Sequence, residues 1–121
     1  MAFKGVSRGD LKVRDILREN DFIWEEEYIF PDLIASSGRP LAFDFMVFDE
    51  DENIDFAIEV NGEQHYEPVK AFGGDVKFAR QKYNDTQKRK YCMLNHIRLI
   101  EIPYWELEEV NLDYIMEKAG F

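Results

Sequence analysis

The chain has one cysteine, Cys92, and two histidines. One cysteine closes no internal disulfide and cannot by itself build a thiolate zinc cluster, so Cys92 reads as a small residue on a helix. Long apolar runs are missing as well. The longest uncharged ones, LAF at 41–43 and FMVF at 45–48, fall far short of the roughly 20 residues of a membrane span. The first residues, MAFKGVSRGD, lack the apolar segment of a secretory leader. These features predict a cytoplasmic protein with no membrane partner. Positive charge is scarce too: 15 Lys and Arg against 25 Asp and Glu give a net charge of -10, which repels nucleic acid at long range.

What is present points to a folded enzyme-sized unit. A length of 121 residues with 45% hydrophobic and 15% aromatic content suits a single domain spanning 1–121 with a well-filled core. The charge is also unevenly spread. Between 77 and 90, Lys77, Arg80, Lys82, Lys88, Arg89 and Lys90 stand against one acid, Asp85. That segment carries +5 and leaves -15 elsewhere.

Patterning gives the order α-β-β-β-α-β-α. Ser7 can cap a helix running to about Asn20, with Leu11, Ile16 and Leu17 on its apolar side and Asp10 in its first turn. FIWEEEYIF (22–30) reads as a strand, and PDLIASSGRP as a loop punctuated by Pro and Gly. LAFDFMVF (41–48) and IDFAIEV (54–60) are joined by the short acidic connector DEDEN, which predicts an antiparallel pair. A loop with Pro68 and Gly73–Gly74 precedes a long helix over 75–95. Val76, Ala79, Tyr83, Tyr91 and Leu94 are expected on its buried side, and Lys77, Arg80 or Gln81, Asn84 and Lys88 on another stripe beside Asp85. IRLIEI (97–102), closed by Pro103, is the fourth strand, and Asn111 caps a short last helix.

The unusual segment is AIEVNGEQHY (57–66), which begins as a buried strand yet carries Glu59. A carboxylate in a sheet centre is costly unless a cation or donors face it. Alternation puts Asp44 on a face with Ala42, Met46 and Phe48, and Glu59 on a face with Asp55 and Ala57. If Asp44 and Glu59 lie opposite each other, two carboxylates meet at one sheet edge, where a divalent cation would relieve their repulsion and act as a Lewis acid. Gln64 and His65 then fall at the rim, where an imidazole can orient or deprotonate water. Lys88 and Asp85 can reach the same rim from the helix, one neutralising phosphate charge and the other holding water or metal. His96 lacks such company and reads as structural.

The ordered pieces PLAFDFMVF, FAIEVNGEQHY and FGGDVKFARQKYNDTQKRKYCMLNHIRLIEIPYWE resemble the phage and bacterial branch of the PD-(D/E)XK nuclease superfamily. Within it they are most similar to very-short-patch-repair-like endonucleases and to homing endonucleases with an E-D-x-H-D site. The resemblance implies an αβββαβ restriction-endonuclease-like fold, a mixed sheet flanked by helices, and a Mg²⁺- or Mn²⁺-dependent DNA endonuclease in a phage or bacterial setting. Carried over by position, Asp44 and Glu59 are metal ligands, His65 is the motif histidine and Asp85 the helix aspartate, a third candidate ligand. Asp10 stands where the family often has a glutamate. Asn61 replaces the usual lysine, so His65 or Lys88 must take over its role.

DNA is the expected partner. Lys77, Arg80, Lys82, Lys88, Arg89 and Arg39 are candidates for holding its backbone, and a homodimer mate or protein partner is a source of specificity. Two rival readings use the same residues differently: an inactive nuclease-fold component of a nucleoprotein assembly, and an acidic mimic of DNA.

Overall fold

The computed structural model describes residues 7–67 and 74–121; the loop expected around Pro68 and Gly73 lies outside them. Ser7 sits just before helix α1 (Arg8–Glu19) with extended backbone, and its hydroxyl accepts the Asp10 N–H. The buried row of α1 is Gly9, Val13 and Leu17, a straight i, i+4 line. Leu11, expected inward, is exposed. Gly9 explains the choice of face: a Cβ there would meet Val60 Cγ1 at 2.6 Å and Leu107 Cδ1 at 3.3 Å. The missing side chain lets α1 lie close against the third strand.

Strands β1 (Ile23–Ile34), β2 (Pro40–Phe48), β3 (Ile54–Asn61) and β4 (Arg98–Pro103) form one mixed sheet in the order β1-β2-β3-β4. The first two pairings are antiparallel and β3·β4 is parallel. The expected loop over 31–40 is corrected here, because β1 continues through Pro31 to Ile34. β1 is an edge strand, where a proline's missing N–H leaves no ladder bond unmade, and its register with β2 shifts between Ile29 and Ile34.

The acidic connector 49–53 is ordered by Asp49. Its Oδ1 accepts both the Asp51 and Asn53 N–H groups at 2.9 Å, an aspartate-held turn of the common local type. Parallel β3 and β4 need a crossover, which is supplied by α2 (Gly74–Leu94). α3 (Leu112–Lys118) closes the order, with the Asn111 side chain accepting the Tyr114 N–H at 2.8 Å. The αβββαβ order with helices on both faces of a mixed sheet is thus the architecture of the described residues.

Two apolar layers result. On the α1 and α3 side, Val13 and Leu17 pack with Phe45, Phe56, Ile58 and Ile115. On the α2 side, Leu33, Phe43, Met46, Ala57 and Cys92 form a smaller layer. The expected buried side of α2 is also corrected: Val76 is 63% exposed, and Ala79, Tyr83 and Leu94 are exposed too, while Tyr91 is half-buried. The fully buried residues of α2 are Asp85, Lys88 and Cys92. Only the C-terminal part of the helix covers apolar sheet, and the middle turns its polar stripe inward.

Candidate functional site

The polar stripe of α2 faces the end of the sheet where the β2·β3 ladder ends at the Phe45–Ile58 pair. Phe45 lies opposite Ile58 and Met46 opposite Ala57, so Asp44 and Glu59 come next in the same register. Side chains replace the ladder there. Asp44 N–H donates to Glu59 Oε1 at 3.3 Å, and Val60 N–H donates to Asp44 Oδ2 at 2.8 Å. The two carboxylates thus occupy one rim of the sheet, as the sequence pattern predicts.

The alternation is nevertheless imperfect at this point. Phe43 belongs to the α2-side layer with Met46, whereas Phe45 belongs to the opposite layer, so the strict period of two breaks across Asp44. On β1, between the paired Glu26 and Tyr28, Glu27 adopts φ 52°, a left-handed conformation uncommon for a non-glycine residue. Glu27 also lines the cleft described below. The local distortion therefore coincides with the carboxylate pair.

Glu59 is buried, and Lys88 Nζ donates to its Oε1 at 2.9 Å from α2. Burial pushes the Glu59 carboxyl up to about 8, Lys88 and the Asp44 N–H pull it down, and the neighbouring Asp44 charge pushes it up. Asp44 is raised by burial too, against the Val60 N–H, with Asp10 and Glu27 adding to the rise and Lys88 opposing it. One ammonium thus faces two carboxylates, which leaves the rim short of positive charge when both are ionised.

Next to this pair, His65 Nδ1 lies 3.1 Å from Asp85 Oδ2 and 3.2 Å from Oδ1. His65 is carried at the end of a single 3₁₀ turn, Glu63–His65, that follows β3 directly. Gln81, one helical turn before Asp85, donates to its Oδ1 at 2.9 Å. Burial works to raise Asp85, but the His65 contact and charge, the Gln81 amide and Arg89 outweigh it and hold the group below the usual carboxylate range. An ionised Asp85 can only accept, so His65 donates through Nδ1 and its Nε2 takes no part in this contact.

Asn61, at the position where the resemblance leads one to expect lysine, is buried. Its amide nitrogen lies 3.4 Å from Tyr66 Oη and 3.4 Å from Glu101 Oε1. Arg89 in turn grips Glu101 with two hydrogen bonds of 2.8 and 2.9 Å. The ammonium beside Glu59 therefore comes from Lys88 of the helix, and Asn61 serves as a link between strand and aromatic side chains.

Asp10, Asp44, Glu59, His65, Gln81 and Lys88 all line one cleft of about 750 Å³. The sequence brings the first four and Lys88 forward as site residues; Gln81 enters there only as the alternative to Arg80 on the polar stripe of the helix. The Gln64 side chain lies outside what is described. Among the basic candidates, Lys77, Arg80 and Arg39 are exposed. Lys82 is half-buried with its Nζ 5.4 Å from the Tyr66 ring centre and 5.2 Å from that of Phe78. Lys88 and Arg89 are engaged by Glu59 and Glu101.

Among the described residues, no three His, Cys, Asp or Glu side chains are grouped to hold a metal ion. Asp85 is turned toward His65 and Gln81. Asp44 and Glu59 remain as a two-carboxylate set. That set suits Mg²⁺, which takes one or two carboxylates and fills its other positions with water and phosphate oxygens. The raised carboxyls at this rim are what a cation would relieve.

No protein-family profile matches the chain, and no solved structure matches it. Two viral proteins do. Uncharacterized protein 307L of Invertebrate iridescent virus 6 is 32% identical over 71 residues, 58% of this chain and 36% of that protein. Uncharacterized protein 094L of Frog virus 3 (isolate Goorha) is 39% identical over 70 residues, 56% of this chain and 43% of that protein. The chain thus spans less than half the length of the curated relatives it matches. Both relatives are virus-encoded, and among the described residues no helix is long and apolar enough to cross a membrane.

Proposed function

We infer that this chain is a metal-dependent endonuclease that hydrolyses phosphodiester bonds in DNA, built on a PD-(D/E)XK-like core and acting in the cytoplasm. The observation that carries the reading is the convergence of Asp44 and Glu59 at one sheet rim with Lys88 2.9 Å from Glu59, and with His65, held from behind by Asp85, lining the same cleft. The ordered sequence resemblance, which runs through these same residues, points the same way.

Asp44 and Glu59 would hold Mg²⁺ or Mn²⁺, which supplies Lewis-acid polarisation of the phosphoryl oxygen and a more acidic water. Lys88 stands where an ammonium both steadies Glu59 and faces charge developing on phosphate oxygens. Asp85 holds His65 in the tautomer with Nδ1–H, so Nε2 is available to take a proton from water or return one to the leaving oxygen. Asp10 adds negative field near Asp44. Arg39, Lys77 and Arg80 supply exposed charge for the phosphate backbone, and a dimer mate or protein partner would add base specificity.

A second reading has its own observation: Asn61 carries no charge, and Lys88 is already bound in a buried ion pair. In that case the fold binds nucleic acid or assembles with partners without cutting. Incubation with duplex, branched and single-stranded DNA in Mg²⁺ or Mn²⁺ separates the two. The nuclease reading predicts cutting that Asp44→Ala and Glu59→Ala each abolish while circular dichroism stays native. Absence of cutting on all three substrates in both metals sinks it in favour of the binding component.

A further inference from the structure

Beside the cleft, three aromatic residues form a cluster that takes no part in either apolar layer. Tyr66 follows His65 directly, and Tyr104 and Trp105 open the 3₁₀ segment Tyr104–Glu109 after β4. Ring centres lie 4.6 Å apart for Tyr66–Trp105, 5.9 Å for Tyr66–Tyr104 and 5.2 Å for Tyr104–Trp105. Trp105 is 59% and Tyr104 44% exposed, although burying such rings is a large source of stability. Tyr104 also lines the cleft that holds Asp44, Glu59 and His65, so the exposed wall is continuous with the candidate site.

The wall is fixed from behind, and a cation, Lys82, stands against the Tyr66 ring. Asn61 touches the Tyr66 hydroxyl, and Lys82 Nζ sits 5.4 Å from the Tyr66 ring centre. Trp105 and Tyr104 stand at 83° to each other, so a flat group stacked on one ring meets the edge of the other. The acids Glu63 and Glu67 lie near Tyr66 in the chain, and Glu108 and Glu109 follow Trp105; all four are exposed. α2 supplies Lys82 at the Tyr66 ring together with exposed Lys77 and Arg80.

We propose that Tyr104 and Trp105, backed by Tyr66, form a stacking site for an unpaired nucleobase next to the scissile position, so that the substrate is a strand with unpaired nucleotides. This rests on the nuclease reading for the word scissile but not for the binding itself. Aromatic stacking accepts every base, because each has a π face, and it needs the base out of a duplex. Lys82 beside the Tyr66 ring would orient the strand, with phosphates toward α2 and bases toward the wall.

The test is fluorescence anisotropy of the whole chain in EDTA, using a labelled single-stranded oligonucleotide, the same backbone carrying abasic positions, and a blunt duplex of equal length. The base-bearing strand is expected to bind about 10-fold tighter than the abasic one, and tighter than the duplex. Trp105→Leu should erase that difference and Trp105→Phe should restore it, with circular dichroism native for both exposed-site variants. Asp44→Asn should leave the base preference intact. Equal affinity for base-bearing and abasic strands, preference for duplex, absence of binding, or a preference unchanged in Trp105→Leu would each overturn the proposal. Failure of the nuclease reading would instead appear as base-dependent binding without any cutting in Mg²⁺ or Mn²⁺.

Discussion

Lys88 is a single ammonium placed against two carboxylates, and that imbalance makes the site sensitive to pH. Burial raises the Glu59 carboxyl from an ordinary 4.5 to about 8, so the folded chain keeps a proton that the unfolded chain releases. A raised pKa means that stability is greatest below the unfolded value and falls as pH rises toward the folded one. The metal-free protein should therefore lose stability between about pH 5 and pH 8, and Glu59→Gln should flatten that slope in urea titrations. Asp85, held low, works in the other direction: its contribution is present above the ordinary carboxylate range and is lost in acid. Lys88→Met should cost about 3 kcal/mol at pH 9, where the wild-type pair is charged and the variant's buried Glu59 must either keep its charge without a partner or take up a proton. The cost should be clearly smaller at pH 6, where Glu59 takes a proton; equal losses at the two pH values would show that the ion pair is not what the variant removes. Most of these residues were readable in the chain, because a carboxylate in a strand of Ala, Ile and Val needs a partner. The distortion at Glu27 was not, since a left-handed residue in the middle of Trp-Glu-Glu-Glu-Tyr carries no compositional mark.

At the level of elements, α1 is pressed onto β3 through Gly9, and this contact holds Asp10 at the mouth of the cleft. Gly9→Ala pushes a methyl into the β-branched Val60, whose rotamer is stiff, and should cost about 1–3 kcal/mol, seen as an earlier urea midpoint with little change in slope. If the site depends on that seating, activity falls further than stability does. Asn111→Ala removes the cap of α3 and should cost about 1 kcal/mol without altering the site. The strands and caps were legible from alternation, Ser7 and Asn111. Two elements were misread for physical reasons. Pro31 reads as a loop signal, yet on an edge strand its missing N–H is harmless. The apolar-looking stripe of α2, including Val76 and Tyr83, is exposed because the helix turns Gln81, Asp85 and Lys88 inward to Glu59 and His65, an inversion that periodicity alone assigns to the wrong face. Gly9 was overlooked for a related cause: a residue without a side chain adds nothing to an apolar pattern, although it decides which face packs.

Across the whole molecule, a net charge of -10 limits how the chain can meet nucleic acid. Among the described residues, Arg8 on the cleft lining, the exposed Arg39, Lys77 and Arg80 and the half-buried Lys82 are the cations available to a strand in the cleft, so few counterions would be released on binding. A plot of log affinity against log salt should have a slope shallower than about -4, and Lys77→Ala with Arg80→Ala should flatten it further. On the nuclease reading, the acidic remainder would keep the rest of the surface away from phosphate and confine contact to the cleft side. The central claim remains that Asp44 and Glu59 share one divalent cation. Isothermal titration with Mn²⁺ tests it most directly, on the wild type and on Asp44→Ala at pH 6 and pH 8. One binding event is predicted, tighter at pH 8 because a proton must leave Glu59, and absent from a folded Asp44→Ala. Binding heats that are the same in both proteins, or no binding by the wild type at either pH, would contradict it.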